Sequence, residues 1–514
     1  MSDPTGPVTA PAPGDPPDGR PAGDGPVAGD AAAGQPLGRA VSRALGWSTI
    51  AQILGRVGSF GVGIVLARLL TKEDFGVYAV ALVAINLLIV ANDLGVIAAV
   101  IRWQGNVREA AGTAATLSLG FSVAIFTAVL LVAPAFASAL GSPGATNLVR
   151  VVAIAILIDG YSAVPQAMLV REFRNDRLAV AELGGFLIGT PVTIVLAVLG
   201  AGPWSIVVGR VVSAAAVAGF VMAFAPFRVR PALDRAVAAE LVRFGAPLAL
   251  SAVISQAVLN VDYIVIGRSL GAVDLGVYLL AFNLSSWPAS LVSTAVARVA
   301  FAGFSRLVED RPRLHSAFPR SMAVALSILV PLVVVLAVLA PDVIRFLYGE
   351  KWLPAATPLR FLVMLGGLRI LIDLLIDLTI ADGRPRVALA VRTGWLVAIV
   401  PALLVGADRD GLRGVGVAHL LVAASLVLPW LLLDARRSGI RTAVLARQAF
   451  RPVVAGAVSA AVMLAVLPAV SGTLPRLVLA GGCGTAAYLL VLIPRNPLVG
   501  WVVNRVRPAR SAAA

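Results

Sequence analysis

Five groups of polar side chains interrupt otherwise apolar runs of this chain. Ser48, Gln52, Arg56, Ser59 and Gly63 recur at steps of four, four, three and four, so they form one stripe along a helix. Asn86 and Asp93, seven apart, share a helical face. Asp159, Ser162 and Gln166 share another. Ser251, Ser255 and Asp262 line a further helix, with Gln256 and Asn260 alongside. Arg369, Asp373 and Asp377 follow at successive steps of four. An ionisable group inside hydrocarbon is costly, which makes each group a candidate site.

The chemistry open to these residues is binding rather than bond breaking. Arg56 falls near the middle of its run, with Gln52 and Phe60 four positions to either side. A planar guanidinium in a low-dielectric cavity suits phosphate oxygens. Arg56, Gln52, Asn86, Gln256 and Asn260 are therefore candidate substrate-binding residues, and Asp93, Asp159, Asp262, Asp373 and Asp377 are candidate ion-coupling acids. Asp159 could serve a coupled cation or pair with Arg56. Plainer roles stand beside these. Arg369 with Asp373 is also an intrahelical ion pair that lowers insertion cost. Asp262, toward a helix end, also reaches the interface. Arg150, Arg210, Arg298 and Arg392 lie off-centre, where a long cationic side chain snorkels.

Other chemistries find no residues to carry them. The single cysteine, Cys483, sits in an apolar run, and His315 and His419 are far apart, so no metal site is expected. There is no phosphate-cradling Gly-rich loop ending in Lys-Ser or Lys-Thr, so no built-in ATPase and no cofactor are expected. No connection is long enough for a catalytic domain, which argues against an enzyme. The net charge of +15 comes almost entirely from dispersed arginines, without the dense basic block that nucleic acid requires.

The elements that must position these groups are membrane helices. The chain has 514 residues, 59% hydrophobic and 13% charged. Soluble proteins carry about 25% charged residues, so the bilayer is the expected solvent. A spanning helix needs about twenty mostly apolar residues. Such runs fall at 45–69, 75–101, 110–139, 147–170, 178–200, 203–226, 244–267, 275–301, 321–347, 357–381, 387–406, 412–434, 452–470 and 475–494. Residues 1–36, rich in Pro, Gly, Ala and Asp, read as a disordered tail and not as a signal peptide. Most of the 42 basic residues lie in the two tails and in every second gap, among them Arg171, Arg174, Arg177, Arg228, Arg230, Arg235, Arg384, Arg386, Arg436 and Arg437. The intervening gaps are sparse, with Arg68, Lys72, Arg268, Lys351 and a few more. Basic loops stay cytoplasmic, so both termini are expected there, on an even number of spans.

The stretch from Ile64 to Ala81, IVLARLLTKEDFGVYAVA, aligns without gaps to IVIGRSLGAVDLGVYLLA from Ile264 to Ala281. Arg68 and Arg268, Asp74 and Asp274, Gly76 and Gly276, and Tyr78 and Tyr278 recur at an offset of 200. That offset spans an even number of helices, so the copies are parallel about an axis along the membrane normal. The expected fold is an all-α polytopic membrane protein with about fourteen transmembrane helices. It comprises a tail (1–36), a six-helix lobe (37–230), a second six-helix lobe (231–436), two additional helices (437–495) and a C-terminal tail (496–514). Two related lobes around a cavity are an alternating-access design.

Three stretches carry a family likeness: ARLLTKEDFGVYA (67–79), MLVREFRNDRLA (168–179) and FLYGEKWLPAATPLRFL (346–362). With them, residues 40–495 resemble the polysaccharide transporters of the multidrug/oligosaccharidyl-lipid/polysaccharide exporter superfamily, which include O-antigen and exopolysaccharide repeat-unit flippases. The resemblance implies movement of undecaprenyl-pyrophosphate-linked oligosaccharides across the cytoplasmic membrane. It also implies membrane lipids, a polysaccharide polymerase and glycosyltransferases as partners. The motifs themselves read as structural, since Tyr and Trp prefer the membrane interface. A multidrug or metabolite antiporter of the same superfamily, a peptidoglycan-precursor flippase and a membrane enzyme of polysaccharide assembly are the competing readings.

Overall fold

Apolar runs of this length have one economical solution in hydrocarbon, the α-helix, because it pairs its own backbone groups. The computed structural model describes residues 55–92, 99–101, 103, 107–304 and 311–492, and among them every regular element is helical. Gln52, Asp93 and both expected tails lie outside the described residues. The helices are α1 (55–69), α2 (Lys72–Asn92), α3 (Val107–Ala139), α4 (Ile154–Arg171), α5 (Asn175–Val198), α6 (Trp204–Phe224), α7 (Arg235–Ser269), α8 (Ala272–Phe304), α9 (Arg311–Val338) and α10 (Ala356–Ala381). They continue with α11 (385–409), α12 (412–437), α13 (Thr442–Val466) and α14 (Thr473–Leu492). Eight helices among the described residues are long and apolar enough to cross a membrane.

Local chemistry sets several boundaries. Asp234 caps α7, its carboxylate accepting from the Ala236 and Val237 amides at 2.8 and 3.2 Å. Between α11 and α12, Asp410 leaves helical geometry and Gly411 takes φ 52°, the turn that folds the two helices back on each other. The run 321–347 is not one helix. α9 ends at Val338, and Pro341 opens a separate short helix, Ala340–Leu347, followed by a 3-10 turn, Glu350–Ala355. Proline suits a first helical turn and not the continuation of one, so the chain breaks there. The stretch at 147–170 is likewise divided, into Thr146–Val152 and α4.

Helices α3 to α6 pack mainly among themselves, and so do α8 to α12. Small residues permit the closest crossings. A Cβ at Gly189 of α5 would stand 2.6 Å from Ser213 Cβ and 2.8 Å from the Gly209 carbonyl of α6. Helices α13 and α14 pack on each other and on α9, where the Tyr488 hydroxyl donates to the Ser327 carbonyl at 3.0 Å. The two sets meet where α2 packs on α7 and α8. Alternation of the helices puts the turns near 70, 141, 202, 271, 349 and 411 at one end, the first end. It puts those near 173, 230, 383 and 439 at the other, the second end, which carries the basic clusters.

At the first end the two copies of the repeat touch. A Cβ at Gly76 would collide with the Ala272 carbonyl, and one at Gly276 would stand 2.6 Å from the Gly76 nitrogen. Equivalent glycines thus face each other across the junction of α2 and α8, and only glycine leaves room for it.

Candidate functional site

A cavity lies between the two helix sets, in two adjoining compartments that share Asn283 and Ser286 of α8. The larger, about 710 Å³, is lined by Arg56, Ser59, Phe60 and Gly63 of α1, Glu182 and Phe186 of α5, Trp287 of α8 and Tyr348. The described part of the expected stripe, Arg56, Ser59 and Gly63, therefore faces this space. Its walls are aromatic, with the Phe60 and Trp287 ring centroids 3.9 Å apart. The smaller compartment, about 460 Å³, is lined by Asn86 of α2, Gln256, Asn260 and Tyr263 of α7, Phe282 and Ser285 of α8, and Arg369 and Asp373 of α10.

The repeat relates one wall of each compartment, α1 in the larger and α7 in the smaller. At the offset of 200, Arg56 corresponds to Gln256 and Phe60 to Asn260. The first copy puts a cation and a ring on its wall, and the second puts two amides on its own. Arg369 and Asp373 both face the smaller compartment, and among the described residues Arg369 makes no hydrogen bond or ion pair.

Behind this wall lies a buried polar cluster. Asp262, 3% exposed, accepts a hydrogen bond from the Tyr278 hydroxyl at 2.8 Å and one from the Tyr263 amide at 2.9 Å. His419 of α12 places Nε2 3.7 Å from the Asp262 carboxylate, and that nitrogen has no hydrogen-bond partner among the described residues. Arg369 is close enough to act electrostatically on Asp262, Asp373 and His419. A carboxylate, a phenol and an imidazole buried together can hold and exchange a proton or a small cation, with the fixed charge of Arg369 acting on them from the cavity wall.

The remaining candidates lie elsewhere. Asp159 is absent from both cavity linings and lies within electrostatic reach of Arg210. Asp377 is exposed, one turn beyond Asp373, near Arg392. Sequence reading named His419 only in discounting a metal site, and passed over Asn283 and Ser286. Asn283 and Ser286 carried a weak signal, being one turn apart in α8. His419 had none, since its partner Asp262 is 157 positions away.

The first end of the cavity is fastened shut. The segment 346–352 lies across the C-terminal end of α1, whose last carbonyls lack helical partners. Lys351 Nζ donates to the carbonyls of Arg68 and Leu70 at 3.0 and 2.6 Å, and Trp352 Nε1 donates to that of Ala67 at 2.7 Å. In return Arg68 Nε donates to the Leu347 carbonyl at 2.9 Å. The ring of Trp352, fully buried, meets Phe75 edge-on at 4.9 Å. Partial burial pulls the Lys351 ammonium below the ordinary lysine range, opposed by Asp74 nearby. Phe75 and Tyr348 both line the larger compartment, so this latch is also its floor.

Known proteins resemble the chain in sequence and in fold. The family model described as "Polysaccharide biosynthesis protein" matches residues 65–357. The lipopolysaccharide biosynthesis protein WzxC of Escherichia coli (strain K12) is 26% identical over 382 residues, covering 73% of this chain and 77% of its own. The succinoglycan biosynthesis transport protein ExoT of Rhizobium meliloti (strain 1021) is 28% identical over 334 residues, with coverages of 64% and 67%. The fold is that of the lipid II flippase MurJ in an inward closed conformation, at TM-score 0.71 and 14% identity over 90% of this chain and 99% of that one. A multidrug MATE transporter in an inward-facing conformation superposes with TM-score 0.59 and 20% identity, over 77% and 99%. The chain belongs to the polysaccharide biosynthesis protein family and is a multi-pass membrane protein.

Proposed function

We propose that this member of the polysaccharide biosynthesis protein family is a flippase. It carries undecaprenyl-pyrophosphate-linked oligosaccharides across the cytoplasmic membrane by alternating access, for assembly of a surface polysaccharide. The observation that carries this reading is the cavity whose largely apolar walls carry Arg56, Asn86, Gln256 and Arg369, closed at one end by hydrogen bonds to bare helix carbonyls. A charged, hydrated headgroup needs such polar groups to pass hydrocarbon. The lipopolysaccharide and succinoglycan named for two sequence relatives, and the lipid II named for the structural neighbour, are in keeping with that need.

In this reading the basic second end is cytoplasmic, both termini lie there, and the latched first end faces outward. The cavity then loads from the inside. Two six-helix lobes, 37–230 and 231–436, rock about the junction of Gly76 and Gly276, while the pair in 437–495 stays on the second lobe. The chain does no bond chemistry of its own, and a polymerase and glycosyltransferases act before and after it. An ion gradient or the membrane potential drives the cycle through intramembrane acids, with Asp262 and Asp373 the best placed. Arg56 meets the pyrophosphate.

The test is Arg56→Ala in a strain that depends on this chain for its surface polysaccharide. Export is expected to fall at least about tenfold with protein level unchanged, and Arg56→Lys is expected to recover part of it, keeping the charge without the bidentate fork. Normal export by a well-expressed Arg56→Ala protein would remove the residue from the mechanism. Cysteines at Gly144 and Asp410 are expected to react with impermeant thiol reagents outside, and those at Asp176 and Gly383 are not. The reverse pattern overturns the orientation.

A further inference from the structure

The two compartments of the cavity differ in chemistry although the repeat makes one wall of each, α1 and α7, counterparts. The larger offers a cation and aromatic rings, Arg56 with Phe60 and Trp287. The smaller offers amides from three helices, Asn86, Gln256 and the shared Asn283, backed by the buried Asn260, whose Nδ2 donates to the Gln256 carbonyl at 2.7 Å. Each primary amide supplies two donors and an acceptor, which is the pattern that adjacent sugar hydroxyls present in return. Tyr263 and Phe282, their ring centroids 5.6 Å apart and near perpendicular, add the apolar faces on which the C–H side of a sugar ring rests. The substitution pattern at positions 56 and 256, and 60 and 260, runs the same way. A wall suited to phosphate in one copy is a wall suited to hydroxyls in the other.

Arg369 is the cation in this amide-rich space. Asp373 stands one turn away on the same wall, yet the two form no ion pair, so the guanidinium fork is open to the cavity. A fork of this kind pairs two parallel N–H groups with the two oxygens of a carboxylate. Asp373 repels a second anion beside it, which limits the compartment to one acidic group.

We infer that the 460 Å³ compartment is the glycan subsite and that Arg369 recognises a carboxylate on one sugar of the transported oligosaccharide, an inference that rests on the flippase reading. The probes are two disaccharides that carry no lipid and no phosphate: a hyaluronan disaccharide with one uronate, and neutral chitobiose. Both are titrated into the purified full-length protein in nanodiscs. The acidic disaccharide is expected to bind about tenfold more tightly than the neutral one. Arg369→Gln is expected to abolish that preference while changing chitobiose binding by less than about twofold, because the amides remain. Gln256→Leu is expected to weaken both.

Three results overturn the inference: neither disaccharide binds, the preference survives Arg369→Gln, or Gln256→Leu leaves both affinities unchanged. The flippase reading fails by a different measurement, unaltered surface polysaccharide in a strain lacking the chain. Lost export in that strain together with absent disaccharide binding refutes the subsite alone.

Discussion

The latch and the cavity adjoin each other and are built on opposite terms. In the latch nearly every polar group has a partner, and the partners are backbone: Lys351, Trp352 and Arg68 all donate to main-chain carbonyls of the facing segment. In the smaller compartment the side chains of Asn86, Gln256 and Asp373 face open space, and Arg369 is held by no hydrogen bond among the described residues. A surface that must close the same way each cycle gains from fixed, saturated contacts. A surface that must receive a ligand keeps donors and acceptors in reserve. The difference also shows what the family motifs are. ARLLTKEDFGVYA and FLYGEKWLP are the two halves of one fastener, and the residues proposed to meet substrate, Arg56 and Arg369, fall outside them.

This contrast breaks most visibly if a change at the junction is harmless. Gly76→Val forces a branched side chain into the Ala272 backbone, which cannot yield without parting α2 from α8. Overpacking at such a site costs about 1–3 kcal/mol, occasionally more, and here it separates the two helix sets. We expect little folded protein by size-exclusion chromatography, and a normal monodisperse peak with an unshifted melting temperature would contradict the packing described. Trp352→Ala comes next. It empties a fully buried site and strips the partner from the Ala67 carbonyl, for a loss of about 3–5 kcal/mol. Trp352→Phe keeps most of the packing and loses the hydrogen bond, for about 1 kcal/mol. Equal losses from the two variants would show that the indole N–H carries the latch and its packing does not. Lys351→Met is milder still, at most about 1 kcal/mol, because the residue is exposed and its ammonium only partly buried, so solvent screens the charge.

The sequence made the latch legible as motifs but not as a contact. Arg68 and Lys351 are 283 positions apart, and nothing in either motif names the other. The repeat was legible because Gly76 and Tyr78 recur with Gly276 and Tyr278, and the structure gives the glycines their reason, a backbone meeting where a Cβ has no room. The stripe through Arg56 and Ser59 was legible because helical periodicity alone puts both on one face, and both line the larger compartment. Arg369 and Asp373 read equally well as an ion pair or as a site, since spacing of four supports both, and only the direction of the cavity separates the two. His419 was silent. A lone histidine in an apolar run carries no sign of the carboxylate that a distant helix brings to it. The run 321–347 misled because hydropathy averages over the break at Pro341, where a single residue changes the path of the chain.

The smallest expected effect on stability, and the sharpest on function, is at Asp262. Asparagine has the same shape, and its carbonyl oxygen can still accept from the Tyr278 hydroxyl, so the cluster keeps its best bond. The lost interactions are the bond that the other oxygen accepts from the Tyr263 amide and the charge acting on His419 and Arg369. Removing a charge that is buried at 3% exposure also removes its desolvation penalty, which offsets much of that loss. Asp262→Asn should therefore change stability by less than about 1 kcal/mol, whereas Asp262→Ala leaves a buried phenol without its acceptor and costs about 1–3 kcal/mol. Transport separates the variants in another way. A carboxylate that binds and releases a coupled proton or cation is indispensable to coupling and dispensable to binding. The Asp262→Asn protein should then bind lipid-linked substrate normally in vesicles yet no longer respond to an imposed ion gradient or membrane potential. A gradient response equal to that of the unmodified chain would assign Asp262 a purely structural part, with Tyr278 and His419 packed around it, and would leave Asp373 as the acid to test next.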